Sequence, residues 1–174
     1  MDTLIPPSAE QKIWPALNRL PETAELLEHL STLKYDVSTM LPVIVDLAFA
    51  VKRSQDMFPD IVSGYSRTIL HREPGGFEVM VARWSRGAKT PIHGHPGFSL
   101  TWLIDGNLSE NTYAKEGGCL VQADSDSLSA GAYSFDQGND GRFDNAIHQI
   151  VAVEESLSLH LYSDDALKGE VFTV

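Results

Sequence analysis

Residues 90–106 read TPIHGHPGFSLTWLIDG and contain His93 and His95, separated by one glycine. In a β-strand successive side chains point to opposite faces, so this spacing places both imidazoles on one face. Two neutral imidazoles that converge on one point form half of a site for a transition metal. Histidines also occur in turns and on solvated strands, so the pair alone leaves both interpretations open. Gly87 precedes the pair in the pattern G-x5-H-x-H, and Gly106 closes the segment.

The composition limits the partners that this chain can bind. The 174 residues include 43% hydrophobic and 21% charged side chains, which is typical of a soluble globular protein and sufficient for one domain. The formal net charge is -11 and no run of Lys and Arg occurs, which argues against nucleic-acid binding. The most apolar window, residues 41–51, contains Asp46 and is far shorter than the roughly 20 residues of a membrane span. The sequence predicts no nucleic-acid partner and no membrane.

Two features favour a cytoplasmic location. The first residues, MDTLIPPSAEQK, lack the basic start and apolar run of a signal peptide. Cys119 is the single cysteine, so no intrachain disulfide can form. We expect Cys119 to be a small buried hydrophobic residue.

Residues 1–60 predict a helical segment. A first helix begins at Ser8, where the capping-box spacing occurs. A second helix starts near Pro21 and carries one apolar stripe, formed by Leu26, Leu27, Leu30 and Leu33. A third helix runs from residue 38 or 42 to residue 53 and is apolar on most of its surface, which predicts that it packs between two layers.

From Gly64 onward the hydrophobic period changes to two, which indicates β-strands. Short strand candidates, separated by clusters of Gly, Asp, Asn and Ser, span residues 64–72, 77–85, 100–104, 107–114, 120–123, 131–135, 147–153, 157–163 and 171–174. This number of short strands predicts an all-β sandwich or a jelly-roll barrel over residues 61–174. No linker is evident, so we expect residues 1–174 to form a single domain with the helices packed on the barrel.

The glycine-framed histidine pair resembles the first sequence motif of the cupin superfamily, whose fold is a jelly-roll (double-stranded β-helix) barrel. His148 opens a predicted strand and is the natural third ligand, while Asn145 can fill the turn before it. The cupin consensus has a Glu where this chain has Ser99, which binds metal poorly. The predicted ligand set is therefore three neutral histidines, which leaves the charge of the ion to attract an anion such as a thiolate.

Three polar side chains alternate with leucines in the segment LSLHLYS. Ser158, His160 and Tyr162 share one face of this predicted strand, while the leucines take the other face. If the polar face is in solvent, the strand is an ordinary amphipathic one. If it faces the barrel interior, the three groups need hydrogen-bond partners and can form a relay toward the metal.

A third group of candidates lies in GYSRT, where Tyr65 and Arg67 share a face of the first predicted strand. An Arg on a strand is usually a surface residue or an ion-pair partner. Near a metal ion, however, its guanidinium can bind a carboxylate through two parallel hydrogen bonds.

Residues 64–163 resemble the cysteine dioxygenases, mononuclear iron enzymes of the cupin superfamily that oxidise the thiol of cysteine to a sulfinate. The order and spacing of the matching pieces fit the family, and these pieces are YSR (65–67), Trp84, IHGH (92–95), DGNLSE (105–110), His148 and SLHLYS (158–163). The helical segment before the barrel is similar to that of the family as well.

The resemblance implies a role for each candidate residue. It implies that Fe(II) is held by His93, His95 and His148. It implies that Arg67 and Tyr65 bind the substrate carboxylate. It assigns an outer-sphere relay, with catalytic roles, to Ser158, His160 and Tyr162. The implied partners are a small thiol substrate and O2, and an Arg at position 67 favours cysteine.

Two departures from the family pattern bear on these roles. The chain has no cysteine near Ser99 that could cross-link to Tyr162, so the tyrosine is expected to be unmodified, as in bacterial members. The SPP that follows the tyrosine in the family is Ser163-Asp164-Asp165 here, so this loop is expected to follow another path. Two alternatives stay open: a dioxygenase of 3-mercaptopropionate or another aminothiol, and a non-catalytic cupin that uses metal to bind a small carboxylate.

Overall fold

The computed structural model describes residues 21–33, 36–74 and 76–173, and the helix predicted from Ser8 lies outside them. Two helices, α1 (Pro21–Thr32) and α2 (Val37–Arg53), precede the barrel. The strands are β1 (Tyr65–Arg72), β2 (Glu78–Trp84), β3 (Ile92–His93), β4 (Phe98–Asp105), β5 (Asn107–Glu116), β6 (Cys119–Ser129), β7 (Tyr133–Gln137), β8 (Ile147–Ala152), β9 (Ser156–Tyr162) and β10 (Val171–Phe172).

The strands form two antiparallel five-stranded sheets, ordered β1-β2-β9-β4-β7 and β10-β3-β8-β5-β6. Buried side chains from both sheets pack together between them, including Trp84 and Leu103 of the first sheet and Leu108 and Ile150 of the second. This arrangement is the predicted cupin jelly roll. Strand β6 is longer than the predicted 120–123 because its polar continuation lies at the exposed edge of a sheet, where no apolar pattern is required.

The two helices cover the outer face of the first sheet. Leu30 and Ile44 of the helices are fully buried against apolar side chains of β2, β4 and β9, which include Val79, Leu100 and Leu159. Every residue of β9 is buried, so its leucines face the helices and its polar residues face the barrel interior. The structure therefore selects the interior position for the polar face and excludes the solvated one.

Helix α2 begins before Pro42, at the earlier of the two predicted positions. The side chain of Asp36 caps it by accepting a hydrogen bond of 2.9 Å from the backbone N–H of Ser38. Most of its apolar residues are buried, although Phe49 is 62% exposed. Neither described helix is long and apolar enough to cross a membrane.

The expectation that Cys119 is buried is wrong, because the side chain is exposed. It follows the turn at Gly117 and Gly118 and opens β6, the edge strand of its sheet, which is exposed along most of its length. A position at a sheet edge beside a hairpin turn lacks a second layer that could cover it.

Candidate metal centre

Three histidines meet at one point inside the barrel. Their ligand nitrogens lie within 4.8 Å of one another, and their ring centroids are 4.7–4.9 Å apart. His93 of β3 pairs directly with His148 of β8, while His95 follows β3 outside any strand. The convergence of His93 and His95 therefore depends on the path of the backbone after β3, and not on strand alternation alone.

Gly94 is required because the backbone of residues 143–145 approaches it closely: a Cβ atom there would lie 2.6 Å from the carbonyl oxygen of Phe143 and 2.9 Å from that of Asn145. Asn145 also holds the backbone of His95 in place. It accepts a hydrogen bond of 2.8 Å from the His95 N–H and donates one of 2.7 Å to the His95 carbonyl. The residue with a left-handed backbone before His148 is Ala146, next to the predicted turn residue, Asn145.

The orientation of the rings fits one bound metal ion. The Nε2 atoms of His95 and His148 are 3.0 Å apart. An ion about 2.0–2.1 Å from each nitrogen, with an angle of about 90° between the bonds, requires a separation of about 3.0 Å. The Nδ1 atom of His93 lies 2.9 Å from the carbonyl of Pro91, to which it can donate, and this leaves Nε2 as the ligand atom.

Burial favours the neutral form of His93 and His95. It lowers the pKa of His93 from 6.5 to about 3 and that of His95 well below its ordinary value. The Nδ1 atom of His95 is buried without a hydrogen-bond partner among the described residues. Neutral imidazoles with lone pairs directed at one point are suited to bind a divalent transition metal. The residues present therefore fit the predicted ligand set.

A hydrogen-bonded chain lies beside the triad on β9 and its neighbours. The indole N–H of Trp84 donates to the hydroxyl of Ser158 at 2.8 Å, and that hydroxyl lies 2.7 Å from Nε2 of His160. The hydroxyl of Thr101 lies 3.2 Å from Nδ1 of the same ring. Because an indole N–H can only donate, the Ser158 proton is available to His160. The sequence did not indicate Trp84 and Thr101 as members of this chain.

The ring of Tyr162 contacts both the hydrogen-bonded side chains and the histidine triad. It stacks on His95 with centroids 4.7 Å apart and on His160 at 6.0 Å. Within the described residues, no hydrogen bond joins the side chains of His160 and Tyr162, so the predicted relay is continuous from Ser158 to His160 only. Burial raises the pKa of Tyr162, so its phenol stays protonated. Burial likewise lowers the pKa of His160 to about 3.

The two residues predicted to bind substrate, Tyr65 and Arg67, line one cavity beside the triad. Tyr65 stacks on Trp84 with ring centroids 4.6 Å apart. The guanidinium of Arg67 donates from Nε to the sulfur of Met80 at 3.0 Å and from Nη2 to Glu78 at 3.2 Å. Glu78 is fully buried and also accepts a hydrogen bond of 2.6 Å from Nε of Arg72.

The cavity has a volume of about 130 Å³, and its lining includes Tyr65, Arg67, Trp84, His93, His160 and Tyr162. A cavity of roughly 150 Å³ is large enough for benzene, so this one is suited to a ligand of a few heavy atoms. Leu167 and Gly169, which lie in the loop after Tyr162, complete its wall. All peptide bonds among the described residues are trans, which includes this loop.

Glu110 is a buried residue whose importance the sequence did not reveal, although it lies in a matched motif. Its Oε1 atom is 2.5 Å from Nδ1 of His148. Asp136 lies farther from the same nitrogen, at 3.7 Å. Burial raises the pKa of Glu110, but hydrogen bonds from His148 and Ser134 outweigh burial and hold that pKa below its ordinary value.

Comparison with solved structures finds matches at low sequence identity, including two proteins described as cupins. KdgF from Halomonas sp. is 21% identical with a TM-score of 0.46, and the match covers 61% of this chain and 84% of that chain. A cupin superfamily protein from Desulfitobacterium hafniense is 11% identical with a TM-score of 0.49, covering 63% of this chain and 86% of the other. An RmlC-like cupin from Shewanella frigidimarina is 18% identical with a TM-score of 0.44, covering 60% and 80%.

Comparison with curated proteins finds no match to this chain. The sequence profile of the family described as cysteine dioxygenase type I, in contrast, matches residues 54–168. This range includes the histidine triad, the Trp84–Ser158–His160 chain and both residues predicted to bind substrate. Because the match covers most of the sequence, the chain belongs to the cysteine dioxygenase type I family.

Proposed function

We propose that this protein is a mononuclear non-haem iron dioxygenase that oxidises cysteine, or a close small thiol carboxylate, to the sulfinate. The observation that carries the proposal is a single small cavity lined by a histidine of the triad, the guanidinium of Arg67 and the phenol of Tyr162. The reaction is RSH + O2 → RSO2H, so both oxygen atoms end on sulfur. Fe(II), held by His93, His95 and His148, would supply the redox chemistry that joins thiol and O2.

Arg67 binds the substrate carboxylate. Its contacts with Met80 and Glu78 use the Nε–H and one N–H of Nη2, so other N–H groups remain for the substrate. The carboxylate of Glu78 is shared between Arg67 and Arg72, so it does not neutralise Arg67 alone, and Arg72 also lies 3.6 Å from Asp165. A charge-assisted bond of this kind is stronger than a neutral one and fixes the orientation of the thiol.

Tyr162 and the chain of polar side chains on β9 control protons in the cavity. Because the phenol of Tyr162 remains protonated, it can donate a hydrogen bond or a proton to a reacting oxygen. Burial keeps His160 neutral, and Ser158, held by Trp84, fixes the orientation of its ring. The phenol of Tyr65 is the second group that would bind the carboxylate, and its ring stacks on Trp84 to form an apolar wall that excludes water from this side of the cavity.

The test is oxygen uptake by Fe(II)-loaded protein with cysteine, 3-mercaptopropionate and cysteamine offered separately and the sulfinate quantified. We expect one sulfinate per O2 with cysteine and a much lower rate with cysteamine, which lacks the carboxylate. A higher kcat/KM with 3-mercaptopropionate than with cysteine would reassign the substrate. Bound iron without oxygen uptake on any of the three thiols would contradict the proposal and favour the non-catalytic carboxylate-binding cupin.

We place the reaction in the cytoplasm, where substrate thiols stay reduced.

A further inference from the structure

The three histidines of the triad have different partners at their second nitrogen. The Nδ1 atom of His93 lies against a backbone carbonyl, and that of His95 has no partner among the described residues. The Nδ1 atom of His148 faces the carboxylate of Glu110 at 2.5 Å. His148 is therefore the member of the triad whose outer nitrogen is hydrogen-bonded to a negative charge.

The pairing of strands dictates this contact. Thr112 of β5 lies opposite His148 of β8, and Glu110 is two residues earlier on β5. Residues two apart on a strand share a face, so Glu110 points to the same side of the sheet as the histidine. Glu110 is 2% exposed and His148 is fully buried, so water does not compete for the hydrogen bond.

We propose that Glu110 is a positioning residue that fixes the tautomer of His148 with its Nε2 lone pair directed at the metal and increases the donor strength of that nitrogen. A carboxylate that accepts the outer N–H of a metal-bound imidazole makes the ring a more basic ligand. This inference rests on the metal-binding role of the triad, and not on the identity of the thiol.

The position of Glu110 complements that of Ser99, which stands where the cupin consensus has a carboxylate ligand. Ser99 lies on β4, opposite Tyr162 of β9 and Asp136 of β7. Among the described residues, the carboxylates of Glu110 and Asp136 lie behind His148, on the side away from Nε2. Charge in this place lowers the net charge of the site without using a coordination position, so more positions stay available for substrate and O2.

The experiment measures Co(II) affinity by competition with a metal indicator, using the full chain as wild type and as the variants Glu110→Gln and Asp136→Asn. The first substitution keeps the size of the side chain and removes its charge. The second removes a nearby charge that is too distant for a hydrogen bond, at 3.7 Å. We expect Glu110→Gln to weaken Co(II) binding by about 10–100-fold, and Asp136→Asn to weaken it less than about threefold.

Two further readouts separate positioning from a general loss of structure. The visible absorption bands of bound Co(II) report the ligand field, and we expect them to shift in Glu110→Gln and to be unchanged in Asp136→Asn. Histidine 15N NMR of the metal-free wild type reports the tautomer of His148 without any substitution, and we expect the Nδ1–H form. This measurement remains decisive if Glu110→Gln does not fold.

Three results would overturn the inference: an affinity of Glu110→Gln within threefold of wild type, equal losses in both variants, or the Nε2–H tautomer in the metal-free protein. These outcomes are independent of the proposed function. If the protein oxidises no thiol, a selective loss of Co(II) affinity still supports the role of Glu110. If thiol oxidation occurs and Co(II) affinity is unaffected, the role of Glu110 is wrong and the dioxygenase proposal stands.

Discussion

Replacement of Ser158 by alanine should remove two hydrogen bonds from the interior of the barrel at once. The Ser158 hydroxyl accepts from the indole N–H of Trp84 at 2.8 Å and lies 2.7 Å from Nε2 of His160. All three side chains are at most 2% exposed. The substitution therefore leaves a buried donor and a buried acceptor without their partner.

The expected cost follows from the number of groups that lose a partner. Each unsatisfied buried polar group costs about 1–3 kcal/mol, so two of them cost roughly 2–4 kcal/mol after allowance for partial relaxation. The volume of one hydroxyl is too small to admit a replacement water. With a urea m-value of about 2 kcal/mol/M, the unfolding midpoint should fall by about 1–2 M.

The assay is urea unfolding of the metal-free protein, followed by circular dichroism, with midpoint and m-value fitted together. Ser125→Ala is the matched control, because Ser125 is exposed on β6 and only its backbone N–H is hydrogen-bonded to a side chain. We expect the control to change the free energy of unfolding by less than about 0.5 kcal/mol. A loss below about 0.5 kcal/mol in Ser158→Ala, with an unchanged m-value, would refute the argument that these bonds are made in a dry interior.

Three other predictions follow from the same site. Arg67→Gln should raise KM for cysteine on the order of tenfold or more and change kcat/KM for cysteamine much less, and equal losses with both thiols would contradict a carboxylate contact. Gly94→Ala should destabilise the protein by about 1–3 kcal/mol and weaken Co(II) binding, because the new Cβ would meet backbone carbonyls at 2.6 and 2.9 Å. Gly76→Ala is the control: its new Cβ would have its nearest neighbour at 3.7 Å, so this variant should unfold at the wild-type midpoint. Burial holds the pKa of His93 and His160 at about 3, against 6.5 in the unfolded chain, so the unfolded state binds more protons below pH 6.5 and stability is lost as the pH falls. Each histidine contributes up to about 1.4 kcal/mol per pH unit, so the urea midpoint of the metal-free protein should fall between pH 6.5 and about pH 5, and a constant midpoint would show that these rings are not held neutral.

Local patterns predict the fold of this chain well. The change from a period of 3.6 to a period of two separates the helices from the barrel, and the alternation in LSLHLYS gives the two faces of β9 correctly. Gly87 and Gly106, which frame the histidine pair, both have a positive φ, a backbone conformation that favours glycine. These features depend on neighbours in sequence, which a pattern can report.

Contacts between distant strands decide the rest. The sequence left open whether the polar face of β9 is solvated, and only the packing of the helices on its leucines places that face inside the barrel. The hydrogen bond of Glu110 to His148 depends on the register between β5 and β8, and that of Trp84 to Ser158 joins β2 to β9.

Cys119 was wrongly predicted to be buried for a related reason. Burial of one residue depends on which other layer covers it, and nothing near Cys119 in sequence reports that layer. The sequence by itself therefore indicated the helical and strand segments and the histidine pair, because these depend on local spacing, and the family resemblance added His148 and the residue types at the cavity. The tertiary structure decided which polar groups contact one another and which of them are shielded from water, because register and layer packing bring together residues that are far apart in the chain.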